Sequence, residues 1–270
     1  MTKGGEPSPR DRLIVALDPP YGDAGFEYGS GKHFEDELFQ ETASIISELG
    51  DAVSFYKVGL RLFPVFGRVV ECLRKKGKYI FLDLKALDIP ETVAQVATVA
   101  AHLDVEFMTM NHGSDQTVRA AKEAISKLKK SRPKILLVPF LTSLSEEDLK
   151  ELYHVDVTVQ EFVLQVSEKA KKAGCDGIVC SGREAGAVKK RLGGRDGKDI
   201  VVVTPGVRPE ITLVRNDDQK RVVTPRKAIQ EGADFIVVGR PVIRAGDKKR
   251  QVAEAVAKEI EEGLSARRAG

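Results

Sequence analysis

Eight short runs of β-branched and aromatic residues recur along the chain, separated by longer amphipathic stretches. This alternation limits the fold more than any other feature. The runs are 13–17 (LIVAL), 52–58 (AVSFYKV), 79–84 (YIFLDL), 105–110 (VEFMTM), 134–140 (KILLVPF), 177–180 (GIVC), 199–204 (DIVVVT) and 234–239 (DFIVVG). Each is mostly apolar on both faces, which suits strands of a parallel sheet covered on both sides. The stretches between them carry the helical period: Val93, Val96, Ala97, Ala100 and Leu103 share one face, as do Val252, Ala255, Val256 and Ile260. Ser145, ahead of EEDLKEL, predicts an N-cap with acids in the first turn. Gly232 predicts a helix stop. Eight strand–helix units with no domain-sized remainder predict an α/β fold, a (β/α)8 TIM barrel in a single domain over 12–264, with flexible tails at 1–11 and 265–270. An open, doubly wound sheet is the alternative, because periodicity does not decide closure.

Composition removes several classes of function. Lys and Arg number 43 against 40 Asp and Glu, a net charge of +3, which argues against a dedicated nucleic-acid binder. With 42% hydrophobic and 31% charged residues, the 270-residue chain is too apolar for disorder and too charged for a membrane protein. No apolar run approaches the ~20 residues of a membrane helix. MTKGGEPSPR at the start lacks the apolar core of a secretory signal. Cys72, Cys175 and Cys180 are too few and odd in number for a disulfide framework, and read as small buried hydrophobes in a reducing cytoplasm. The histidines at 33, 102, 112 and 154 are scattered, so no metal site is expected.

The polar residues fall where a barrel places its chemistry, at the C-terminal ends of the strands. The first run ends at Asp18, the second carries Lys57, and the third carries Asp83 and Lys85 with Asp88 beyond. Asn111 and His112 follow the fourth, Thr142 and Ser143 the fifth, Pro205, Gly206 and Arg208 the seventh, and Gly239 and Arg240 the eighth. Asp83 and Lys85, two apart on an extended segment, project from one face. Lys57 on the neighbouring run can flank Asp83, giving an alternating Lys–Asp–Lys row in which opposite charges offset the cost of burial. A structural ion-pair network is the plainer reading of Asp83 and Lys85 alone, but the further acid at Asp88 and the lysine on the neighbouring run favour chemistry. Gly239 and Arg240 suit a phosphate, through close backbone approach and a bidentate fork. Two stretches, 19–34 and 205–221, are long enough for lids or binding loops.

DLKALDIPETV (83–93) resembles the D-x-K-x-x-D-I-P signature of the orotidine 5′-phosphate decarboxylase family. ALD near the start, FYKVG, LTS, TPGVRP, DDQKRVVTP and VVGRPV follow the order of that family over roughly 12–262. The resemblance implies decarboxylation of orotidine 5′-phosphate to UMP and CO2 without a cofactor, the last step of UMP biosynthesis. It implies a catalytic array of Lys57, Asp83, Lys85 and Asp88, with Lys85 stabilising and protonating the C6 carbanion. It implies a homodimer in which Asp88 and Ile89 enter the neighbouring subunit's site. Asp18 would bind the ribose hydroxyls and Thr142 and Ser143 the pyrimidine. Pro205 would lie near the base, and Arg208, Gln219, Gly239 and Arg240 would hold the phosphate. The 19–34 stretch is longer than the family's usual connection. Other readings of the same residues are a related magnesium-dependent sugar-phosphate enzyme, a Schiff-base lysine enzyme, and a nucleotide-binding protein without activity.

Overall fold

Strand alternation sorts the side chains of each run into an inner and an outer set, and the inner set fills the middle of a closed barrel. The computed structural model describes residues 6–19, 32–111, 114–129, 132–195, 197, 199–212 and 223–269. Its strands are β1 (Leu13–Ala16), β2 (Phe55–Gly59), β3 (Tyr79–Ala86), β4 (Phe107–Asn111), β5 (Lys134–Val138), β6 (Gly177–Val179), β7 (Val201–Thr204) and β8 (Phe235–Val238). They pair in parallel in that order, and β8 returns to β1. This closure excludes the open sheet and confirms the (β/α)8 barrel. The helices are α1 (Lys32–Leu49), α2 (Phe66–Lys75), α3 (Pro90–His102), α4 (Asp115–Ser126), α5 (Glu146–Tyr153), α6 (Val159–Lys172), α7 (Gly182–Leu192), α8 (Pro225–Gln230), α9 (Arg240–Ile243) and α10 (Lys249–Ala269). Among the described residues no helix is long and apolar enough to cross a membrane.

Two apolar clusters result. The larger lies between the strands' outer faces and the helices. The smaller fills the barrel with Ile14, Ala16, Phe55, Phe81, Phe107, Leu136, Val138, Val179, Val203, Phe235 and Val237. Its four phenylalanines interlock around Phe107, whose ring centroid lies 5.2 Å from Phe55, 5.9 Å from Phe81 and 5.1 Å from Phe235, all tilted or edge-on. Such geometry sets ring edges against ring faces and packs them closely. One step further along the inner faces of β1 to β4 the residues become polar, so the site rests on an apolar aromatic floor.

Local expectations fare differently. Ser145 caps α5 in a full capping box with Asp148, and Gly232 follows α8 at φ +114°. The second run becomes strand only at Phe55, and its first residue, Ala52, ends the 3-10 helix Gly50–Ala52 that follows α1. The expected tails are largely structured where described. α10 continues to Ala269, and Arg12 donates to Pro7 and to Glu6, fixing the entry to β1. Residues 20–31 and 213–222, most of the two long stretches, lie outside the described residues.

At the opposite end of the barrel, acids beside three even-numbered strands bind the preceding odd strand. Glu106 Oε2 accepts from Ile80 N at 2.6 Å, Asp176 Oδ2 from Ile135 N at 2.8 Å, and Asp234 Oδ2 from Val202 N at 2.8 Å. Asp176 also pairs with Lys122 and Asp234 with Lys189. Burial pushes the Glu106 carboxyl up to about 7, with Asp104 adding to the rise and the Ile80 N–H only partly opposing it. A carboxyl raised in the folded state binds more protons there than in the unfolded chain. Glu106 therefore costs nothing below its unfolded value of 4.5, and destabilises progressively as pH rises towards about 7. Glu106→Gln keeps an acceptor for Ile80 and cannot ionise. Thermal unfolding should show it more stable than the parent at pH 8, by about 1–3 kcal/mol, and little different at pH 4.5.

Candidate active site

The inner faces of β1 to β4 place a cluster of polar groups above the phenylalanine floor. Stepping by two residues, β1 runs Ile14, Ala16 and then Asp18; β2 runs Phe55, Lys57; β3 runs Phe81, Asp83; and β4 runs Phe107, Thr109. The last apolar layer is thus followed by a ring of polar groups, Asp18 just past β1 and Lys57, Asp83 and Thr109 on β2, β3 and β4.

Asp83 is the centre of that ring. Lys85 Nζ donates to both its oxygens, at 2.9 and 3.0 Å. Lys57 Nζ lies 3.2 Å from Oδ2 and reaches Asp18 at 3.9 Å. Thr109 Oγ1 donates to Asp83 Oδ1 at 2.9 Å. Asp83 is buried, and burial alone would raise its pKa; Lys57, Lys85 and the Thr109 hydroxyl outweigh that and hold it below the usual carboxylate value. The carboxylate contributes stability above its unfolded pKa and loses it as pH falls through the lower folded value. The spacing of Asp83 and Lys85 and the neighbouring register of β2 thus produce the Lys–Asp–Lys row expected from the sequence. Gly59 leaves room beside it, since a Cβ there would meet Lys57 Nζ at 3.2 Å.

The other expected residues lie on the segments that follow the strands. Gly239 follows β8 and caps α9; a Cβ on it would lie 3.7 Å from Asp18 Oδ2. Arg240 begins α9, half-buried beside that turn. Pro205 and Gly206 follow β7, with Gly206 at φ +72°. Arg208 is buried, its backbone N–H donating to Val223 O at 3.0 Å and its Nη1 to Val207 O at 3.3 Å. Thr142 is half-buried and Ser143 exposed in the turn after β5. Asp88 and Ile89 stand exposed beyond β3, and the Asp88 carboxylate accepts from Ile89 N at 2.7 Å instead of joining the row. Gln219 and His112 lie outside the described residues.

Sequence reasoning missed Thr109. The polar end of the fourth run draws attention to Asn111 and His112, although Thr109 lies two residues from Phe107 and so on the inward face.

Apolar surface gathers at the same rim. Leu60 and Phe63 after β2, and Leu87 and Ile89 after β3, are large side chains more than half exposed. β2 and β3 are adjacent in the barrel, so the four belong to neighbouring segments.

A row of two ammonium groups about one carboxylate, on an apolar base, is preorganised to stabilise negative charge developing above it. A family model described as "Orotidine 5'-phosphate decarboxylase / HUMPS family" matches residues 11–256. An orotidine 5′-phosphate decarboxylase of Bradyrhizobium diazoefficiens is 40% identical over 97% of this chain and 98% of its own length. One from Methylococcus capsulatus is 40% identical over 92% of this chain and 91% of its own. The crystal structure of the orotidine 5′-phosphate decarboxylase from Lactobacillus acidophilus superimposes with a TM-score of 0.68 at 33% identity, covering 92% of this chain and 98% of that one.

Proposed function

Because the chain belongs to the orotidine 5′-phosphate decarboxylase / HUMPS family and is an enzyme that decarboxylates orotidine 5′-phosphate to UMP, we propose that Lys85 carries its chemistry. The observation behind this is the Lys57–Asp83–Lys85 row, in which one buried carboxylate holds two ammonium groups at the mouth of the barrel. As CO2 leaves, the C6–carboxylate bond breaks and its electron pair stays on C6, with no adjacent carbonyl to receive it. Lys85 stabilises that charge as it forms and then delivers a proton from Nζ to C6. Solvent returns the proton to the lysine. Asp83 fixes the two lysines and sets the charge of the site, and Lys57 keeps Asp83 ionised from its other side.

The remaining residues bind the parts of the nucleotide that do not react. Asp18 takes the ribose hydroxyls, Thr142 and Ser143 the pyrimidine edge, and Pro205 packs near the base. The phosphate is held by the Gly239 turn, Arg240, Arg208 and Gln219. Binding energy from the distant phosphate contributes to rate as well as affinity when it is used to hold the reacting end in place.

The working unit is a homodimer, in which Asp88 and Ile89 of one subunit complete the site of the other. The support is their exposure beyond β3 and the apolar side chains of Leu60, Phe63 and Leu87 at the same rim, a patch of the kind that marks an interface. The setting is the cytoplasm, which agrees with three cysteines that form no disulfide.

Purified protein should consume orotidine 5′-phosphate, followed by its loss of ultraviolet absorbance, equally well with and without EDTA. No turnover at micromolar enzyme overturns the reading. Turnover abolished by EDTA favours the related magnesium chemistry.

A further inference from the structure

We infer that Thr109 is a positioning residue for the decarboxylation: its hydroxyl replaces a strand-to-strand bond that a bulge in β3 removes, and so aims Lys85 and Asp83 together. The inference rests on the placement of the reaction at Lys85 proposed above.

The pairing of β3 with β4 is interrupted at the site. Leu82 pairs with Met108 and Ala86 with Met110, so four steps along β3 are matched by two along β4. The excess falls on Asp83, Leu84 and Lys85. A bulge next to a site redirects the side chains it carries and leaves backbone groups without ladder partners. Lys85 shows the consequence. Its φ is +50°, in the left-handed region that a side-chain-bearing residue adopts only under constraint.

Thr109 supplies that constraint. Its Oγ1 accepts from Lys85 N at 2.9 Å and donates to Asp83 Oδ1 at 2.9 Å. The side chain is fully buried, so no solvent competes for either bond. β-branching further restricts its χ1. The bonds close a ring: Thr109 holds the backbone of Lys85, Asp83 holds its ammonium group, and Thr109 holds Asp83. Lys85 is thereby fixed at both ends by one hydroxyl and one carboxylate. Among the inward residues of β4, Phe107 below can make neither bond.

The test compares Thr109→Val, which keeps the shape and removes the hydroxyl, with Thr109→Ser, which keeps the hydroxyl. The valine variant should lose about 10- to 100-fold in kcat, the range of a buried hydrogen bond to a charged group, with KM changed less than about threefold. Its acidic limb in the kcat profile should move to higher pH, because Asp83 has lost a donor to its ionised form. The serine variant should recover most of kcat and return the limb to its place. If Thr109→Val does not fold, Thr109→Cys, with a weak donor in a similar volume, carries the same expectation. Wild-type kcat in the valine variant, or a serine variant as impaired as the valine one with the limb unmoved, overturns the inference. Failure of the parent reading is distinguished by Lys85→Ala. Full activity there removes the site itself, whereas an inactive Lys85→Ala beside an unimpaired Thr109→Val overturns only the role of Thr109.

Discussion

Lys85→Ala should lower turnover of orotidine 5′-phosphate by at least about four orders of magnitude, while the protein folds and binds UMP nearly as before. Two functions are lost at once. The cation that stabilises charge at C6 disappears, and so does the proton donor that quenches it. Each alone accounts for about 10²- to 10⁴-fold in other enzymes. The fold should survive because the substitution orphans nothing. Asp83 keeps Lys57 at 3.2 Å and Thr109 at 2.9 Å, so it remains a paired carboxylate. The Lys85 side chain is 37% exposed, so its removal opens no sealed cavity. Alanine meets the φ of +50° no worse than lysine does. The contrast with Asp83→Ala is informative, because that change would leave two ammonium groups facing one another and should destabilise the protein as well as inactivate it. The checks are single-turnover kinetics for Lys85→Ala, calorimetry for UMP, and thermal unfolding. An alanine variant within about 100-fold of the parent would place the proton donor elsewhere.

How much of this was visible in the sequence depends on which interactions are local. The eight strands were legible because burial on both faces leaves runs such as 13–17 and 235–238 with almost no polar residue. The Lys–Asp–Lys row was legible because Asp83 and Lys85 share a face by strand geometry alone, and Lys57 sits on the adjacent strand. The bulge was not legible. It arises from how β3 pairs with β4, and a residue at φ +50° between two ordinary neighbours leaves no mark in composition or period. Thr109 was overlooked for the same reason, since its importance lies in a bond to the backbone of another strand. The C-terminal SARRA is polar and reads as a tail, yet it extends a helix held against the barrel by Val252, Val256 and Ile260.

Asp88 poses the sharpest question about the assembly, because in a single chain it is near the site in sequence but does not join the charged row. Its carboxylate accepts from its own neighbour Ile89, and both side chains stand exposed at a rim that also exposes Leu60, Phe63 and Leu87. If a second copy covers that rim, two-fold symmetry makes the exchange mutual, each subunit lending Asp88 to the other. This gives a result that no single-chain site can produce. Homodimers of Lys85→Ala lack the lysine in both sites, and homodimers of Asp88→Ala lack the lent carboxylate in both. A mixed dimer has one site with both defects and one with neither. Co-expressing the two variants with different tags and purifying the mixed species should therefore recover about half the wild-type activity per dimer, from parents that are each nearly inactive. Mixed dimers no more active than the mean of the parents would place Asp88 in its own subunit's site, or outside any site. The restoration would exceed either parent by orders of magnitude, and it tests the interface and the role of Asp88 in one measurement.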